Sequence, residues 1–198
     1  EGAPLCTTAL IGTVSKLAAF ALLYRVVDVA FPAYQMHWHQ VLFALAMISI
    51  VVGNLVALVQ TNTLRMLAYS TISHMGFIML ALGLASPMGV HYALFYTLVY
   101  GLTSAAAFGL MMLLSQRHDF AHIESFKGLS TRNPWFAWMM LLIMFSMAGV
   151  PPLVGFTAKF SIILAVAQHH HYIMAIIALV MSVVAAGYYL RIVKFMFF

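Results

Sequence analysis

Charge is scarce in this 198-residue sequence: Asp, Glu, Lys and Arg together make up only 7% of it. A soluble domain carries about 25%. Hydrophobic residues make up 65%, so the chain is read as an integral membrane protein. Acids are rarest, 4 Asp and Glu against 9 Lys and Arg. One cysteine, Cys6, excludes an internal disulfide. Strict apolar–polar alternation is missing, which argues against a membrane β-barrel. No nucleotide-binding glycine loop, haem-type cysteine pair, iron–sulfur spacing or nucleophile–base pair is present. No cofactor is therefore expected on this chain, and any redox chemistry must happen elsewhere. The net charge of +5 does not point to nucleic acid, because the basic residues are scattered.

Long apolar stretches are present. A spanning helix needs about 20 residues, and the sequence predicts an all-α, polytopic membrane bundle of about six helices. They cover Pro4 to Val27, Trp38 to Val59, Leu64 to Ala85, Val90 to Ser115, Pro134 to Gln168 and Tyr172 to Phe198. Pro4 suits a first helical turn, and Ser86-Pro87 is expected to stop the third helix. The longest loop runs from Gln116 to Asn133. With about six crossings, Arg65, Arg117, Lys127, Arg132, Arg191 and Lys194 fall on one side, which the positive-inside rule makes cytoplasmic, or the matrix side in an organelle. Only Arg25, beside Asp28, lies opposite. Gly101, Ala105 and Gly109 predict a small-residue face on the fourth helix for close packing. The opening Glu1-Gly2-Ala3-Pro4 has no methionine or leader and reads as the inside of a longer protein.

Three titratable groups fall inside predicted spans. Lys16 lies roughly 18 Å beyond Pro4 and His74 roughly 15 Å into the third helix, at 1.5 Å per residue. Lys159 lies in an otherwise uncharged run, just after Gly149, Pro151, Pro152 and Gly155. A lysine at membrane depth costs roughly 2.5–3.5 kcal/mol on insertion scales. Two prolines remove two N–H groups and push away the carbonyls four residues back, those of Met147 and Ala148. A broken helix carrying a lysine is a poor anchor but suits a polar, hydrated path. The four acids, Glu1, Asp28, Asp119 and Glu124, all fall in loops or at the terminus. Each buried amine is therefore either carried uncharged or balanced by a carboxylate outside this sequence. His37-Trp38-His39 and His169-His170-His171 resemble metal tracts but lack a Cys or carboxylate at ligand spacing, and are read as wet interfacial loops.

Several stretches carry a resemblance. They are Glu1-Gly2-Ala3-Pro4, Ser15-Lys16-Leu17-Ala18-Ala19-Phe20, and Gly53-Asn54-Leu55-Val56-Ala57-Leu58 with Gln60-Thr61-Asn62. To these are added Leu64 to Gly76 around Ser73-His74, and Ala148-Gly149-Val150-Pro151-Pro152 through Gly155-Phe156-Thr157-Ala158-Lys159-Phe160. Together they resemble the antiporter-like membrane subunits of respiratory complex I, the proton-pumping NADH:quinone oxidoreductase. The double-proline segment alone is shared with multisubunit cation/proton antiporters. The resemblance covers nearly the whole sequence. It implies an inverted-repeat fold in which residues 1–198 form one membrane domain, the later part of a longer subunit. The family's earlier half, with its membrane glutamate and first channel lysine, lies outside. Lys16 then matches the family's central lysine, His74 a polar relay residue, and Lys159 the ionisable residue of the second broken helix.

The resemblance further implies that NADH, FMN, iron–sulfur clusters and quinone are held by other subunits. The implied partners are other membrane subunits of the complex, especially neighbouring antiporter-like ones, and lipid. The implied location is the bacterial inner membrane, or alternatively the mitochondrial inner membrane. Three functions compete: a proton-translocating subunit of that oxidoreductase, a subunit of a cation/proton antiporter with no redox partner, and a truncated structural piece with no transport of its own.

Overall fold

The computed structural model describes residues 5–30, 35–115 and 122–198. The opening Glu1 to Pro4, together with Arg117 and Asp119, lies outside them. Helix α1 (Leu5–Tyr24) continues into a π-helical turn, Arg25–Ala30. It is followed by α2 (Gln35–Val59), α3 (Thr63–Leu82) and α4 (Pro87–Ser115). A 3-10 turn (Ile123–Phe126) and the short α5 (Leu129–Arg132) occupy the loop. The broken pair α6 (Pro134–Ala148) and α7 (Val154–Gln168) comes next, then α8 (Tyr172–Phe197).

Helices α1, α2, α4 and α8 are each long and apolar enough to cross a membrane. Helix α3 is less apolar because Arg65, Ser70, Thr71, Ser73 and His74 lie along it, yet it is packed into the bundle with 13 buried positions. Helices α6 and α7 have 15 residues each, roughly 22 Å apiece, so they share one crossing and place the break near its middle.

The bundle buries a set of polar side chains within a largely apolar core and is apolar outside as well. Asn54, Ser70, Thr71, Ser73, His74, Thr97, Ser104 and Lys159 are buried, while Leu102, Ile173 and Val183 are among the most exposed side chains. That distribution suits a lipid surround, where burial of apolar side chains supplies little force and close packing and hydrogen bonds hold helices together.

Close packing depends on glycine. A Cβ on Gly53 of α2 would come 2.7 Å from the Ser73 nitrogen, and one on Gly76 of α3 would come 2.9 Å from the Ala46 carbonyl oxygen. The two backbones therefore touch. The expected stripe on α4 behaves differently. Gly101 meets Leu17 of α1, Ala105 is exposed, and nothing lies within 4 Å of a Cβ on Gly109. Among the described residues, the close contact that the stripe permits is made at Gly101, against α1.

The turns explain other expectations. Asn62 caps α3 by accepting from the Arg65 N–H at 3.1 Å. Arg191 of α8 donates to the carbonyls of Leu58 and Gln60, satisfying the end of α2. Ser86 and Pro87 do more than end α3, which already stops at Leu82. Pro87 opens α4, and Ser86 Oγ accepts from the Gly89 N–H at 3.0 Å.

Candidate functional site at the broken helix

The break is built from ordinary capping chemistry plus two missing donors. Helix α6 ends at Ala148, and Gly149 takes a left-handed conformation with φ +87° that glycine adopts without strain. The Gly149 N–H reaches the Ser146 carbonyl at 3.1 Å, and the Val150 N–H reaches the Phe145 carbonyl at 3.0 Å. This is a Schellman ending. It leaves the carbonyls of Met147 and Ala148 open, because their helical donors would be the nitrogens of Pro151 and Pro152.

Lys159 fills the vacancy. Its Nζ donates to the Met147 carbonyl at 2.7 Å and to the Ala148 carbonyl at 3.1 Å. The side chain is buried, with the amine 5.8 Å from the centre of the Phe77 ring, within cation–π range. Two glycines admit this approach. A Cβ on Gly149 would stand 3.1 Å from Lys159 Cδ, and one on Gly155 would overlap the Ser146 carbonyl. The carbonyl dipoles at the end of α6 thus face the amine, and among the described residues no carboxylate does. Glu124, the one acid whose side chain is described, is exposed in the loop.

His74 faces the same space from α3. A cavity of about 10 Å³ is lined by His74, Tyr96, Tyr100, Ser146, Met147 and Lys159, among others. That is about the size of one water molecule. The imidazole is held on three sides. Its Nδ1 lies 2.7 Å from the Tyr96 hydroxyl, its Nε2 lies 3.1 Å from the Tyr189 hydroxyl, and its ring stacks on Tyr100 with centroids 4.4 Å apart. Tyr100 in turn donates to Thr71 Oγ1 at 2.9 Å.

Lys16 stands close enough for its charge to act on His74. It is half-buried on α1 and does not line the cavity. Helix α1 leans on α4, where a Cβ on Gly12 would come within 2.9 Å of the Phe108 ring and one on Gly101 within 3.2 Å of Leu17. The cavity itself is lined by two of the three expected groups, His74 and Lys159.

The tyrosines are the residues that sequence reasoning missed. Tyr96, Tyr100, Tyr188 and Tyr189 are all buried. A buried tyrosine needs a partner for its hydroxyl, and Tyr96 and Tyr100 stand one turn apart on one face of α4. That spacing is the signal that was available.

The histidine tracts make structural contacts. His39 Nδ1 donates to the Gly83 carbonyl at 2.5 Å, His171 packs on Phe43 at 4.8 Å between ring centres, and His170 pairs with Tyr172 at 3.0 Å. Among the described residues no group of three or more His, Cys, Asp or Glu could hold a metal ion.

Known proteins resemble this chain in sequence and fold. A family model described as NADH:quinone oxidoreductase/Mrp antiporter, transmembrane, matches residues 1–185. NADH-quinone oxidoreductase subunit N of Thioalkalivibrio sulfidiphilus is 49% identical over 199 residues, 100% of this chain and 42% of that protein. The subunit N of Coxiella burnetii is 45% identical, over 100% of this chain and 41% of its own length. The chain thus spans about two fifths of the length of the curated relatives it matches. Among solved structures, a chain of the membrane-bound sulfane sulfur reductase, an archaeal respiratory membrane complex, superposes with a TM-score of 0.89 at 28% identity, covering 100% of this chain and 41% of that one. A chain of the Mrp complex from Dietzia sp. DQ12-45-1b gives 0.85 at 27%, over 90% and 33%. Respiratory complex I from Thermus thermophilus with bound aureothin gives 0.70 at 36%, over 80% and 36%.

Proposed function

We infer the function from one premise: the chain belongs to the NADH:quinone oxidoreductase/Mrp antiporter transmembrane family. It is a membrane protein, and we read it as the later part of a proton-translocating subunit of NADH:quinone oxidoreductase. The curated relatives at 45–49% identity named above carry that oxidoreductase's subunit N name, which favours this reading over a cation/proton antiporter subunit. The Mrp likeness keeps the antiporter as the second reading. NADH, FMN, iron–sulfur clusters and quinone then belong to other subunits. The partners are other membrane subunits, neighbouring antiporter-like ones foremost, and lipid, in the bacterial inner membrane.

The observation that carries the reading is the pairing of Lys159 and His74 across a water-sized cavity at a broken helix. A lysine ammonium has three donors. Two reach the Met147 and Ala148 carbonyls, and the third is available to the cavity. One water there would link Lys159 to the His74 side, so a proton can pass without either side chain crossing the gap. Lys16 supplies protons from the α1 side, and His74 and Lys159 carry them onward. Quinone reduction elsewhere drives the transfer by changing the charge and hydration around these groups.

The test is proton translocation per electron in the assembled complex carrying Lys159→Ala. A reduced ratio is expected. An unchanged ratio would remove Lys159 from the path, and genetic neighbours that encode only antiporter subunits would favour the second reading.

A further inference from the structure

We propose that the Tyr96 hydroxyl is a catalytic link between His74 and Lys159: a proton exchanged between the imidazole and the amine passes through its oxygen. The proposal rests on the relay function inferred above and names the group that joins its two members.

An imidazole gives or takes a proton only at its two ring nitrogens. Both are covered in His74. The Tyr96 hydroxyl lies 2.7 Å from Nδ1, and the Tyr189 hydroxyl lies 3.1 Å from Nε2. A water in the cavity therefore meets an imidazole whose nitrogens are already engaged. A proton that crosses between the cavity and His74 has to pass a tyrosine hydroxyl.

Three tyrosines surround the ring, and their geometry selects one. Tyr189 is not among the residues that line the cavity. Tyr100 lines it, but meets His74 ring on ring, with centroids 4.4 Å apart. Its hydroxyl hydrogen goes instead to Thr71 Oγ1 at 2.9 Å, and the Thr71 hydrogen goes to the Leu67 carbonyl at 2.8 Å. A backbone carbonyl has no proton to pass on, so that branch ends there. Among the described residues, Tyr96 alone both lines the cavity and hydrogen-bonds an imidazole nitrogen through its hydroxyl.

The amine end is matched to the same exchange. Lys159 Nζ donates to the Met147 and Ala148 carbonyls at 2.7 and 3.1 Å. An ammonium has three hydrogens; a neutral amine has two and a lone pair. The same two bonds therefore serve both forms. What changes is the remaining position on Nζ, a third hydrogen or a lone pair, and Lys159 lines the cavity. That cavity, about 10 Å³, has room for one water between Tyr96 and Lys159.

The step balances with no other reactant. The imidazolium passes its Nδ1 proton to the Tyr96 oxygen as Tyr96 passes its own hydrogen to the water. The water passes one of its hydrogens to Lys159 Nζ. His74 is left neutral with its proton on Nε2, and Lys159 becomes an ammonium. The phenol and the water are regenerated, each with one hydrogen exchanged. Run backwards, the same chain of bonds returns the proton to His74.

The experiment measures proton translocation by the assembled complex carrying Tyr96→Phe, which keeps the ring and removes the oxygen. A positioned proton carrier is worth about 10²–10⁴-fold, so a fall of about 10²-fold is expected, similar to that of His74→Gln. Tyr100→Phe removes a hydroxyl that serves Thr71 and should cost far less. Normal translocation by Tyr96→Phe, or equal losses in the two tyrosine variants, overturns the proposal. Should Tyr96→Phe fail to assemble, a series of ring-fluorinated tyrosines at position 96 keeps the hydroxyl and changes its acidity. The translocation rate should then vary with that acidity. A flat rate would make the hydroxyl a structural hydrogen bond and overturn the proposal as well. The relay function fails separately, if His74→Gln translocates protons normally.

Discussion

Lys159 Nζ stands 2.7 Å from the carbonyl oxygen of Met147, the acceptor that Pro151, having no N–H, leaves open four residues on. The prolines and the lysine are one device. The prolines free two carbonyls, and the lysine from the next half-helix takes both. The cost of burying the amine is thereby offset by acceptors that would otherwise be unpaired.

Lys159→Met should therefore destabilise the bundle as well as stop transport. Two buried carbonyls lose their donor, at about 1–3 kcal/mol each. A lower thermal unfolding midpoint in detergent checks this; an unchanged midpoint would mean the carbonyls find other partners.

His74→Gln should retain a polar side chain but lose the ability to take up and release a proton. Positioned proton transfer is worth about 10²–10⁴-fold. Proton translocation by the assembled complex should fall by about 10²-fold while the amount of assembled complex on native gels stays the same.

Gly155→Ala should fail where Gly109→Ala succeeds. The new Cβ at position 155 would overlap the Ser146 carbonyl, whereas position 109 has nothing within 4 Å. Overpacking costs about 1–3 kcal/mol. Loss of assembled complex in the first variant and normal yield in the second is the expected result. Equal yields would show that α6 and α7 can separate freely.

Arg191→Ala should loosen the α2–α3 turn. The carbonyls of Leu58 and Gln60 lose their guanidinium partner. The expected loss is about 0.5–1.5 kcal/mol, read as faster amide hydrogen exchange in residues 60–66 than elsewhere in α3.

The fold was largely legible in the sequence. The long apolar runs, the scattered charges and the double proline foretold a helical membrane bundle with one broken crossing. Lys159 announced itself because a lone amine in an apolar run demands an explanation. The small-residue stripe was legible only in part: Gly101 packs against Leu17 of α1, while the backbone-to-backbone meeting of α2 and α3 at Gly53 and Gly76 was not foreseen. Spacing shows which residues share a face but says nothing of what stands opposite.

The sequence by itself determined that two carbonyls would be freed at Met147 and Ala148, since proline has no N–H wherever it sits. It also predicted Lys159 and His74 inside membrane spans. Only the tertiary structure decided that the amine and the carbonyls satisfy each other, that His74 and Lys159 line one cavity, and that Tyr96 and Tyr189 grip opposite nitrogens of one ring. Those pairings join residues from 11 to 115 positions apart. Hydrogen bonds act over about 3 Å, so they become definite only once the helices have been packed.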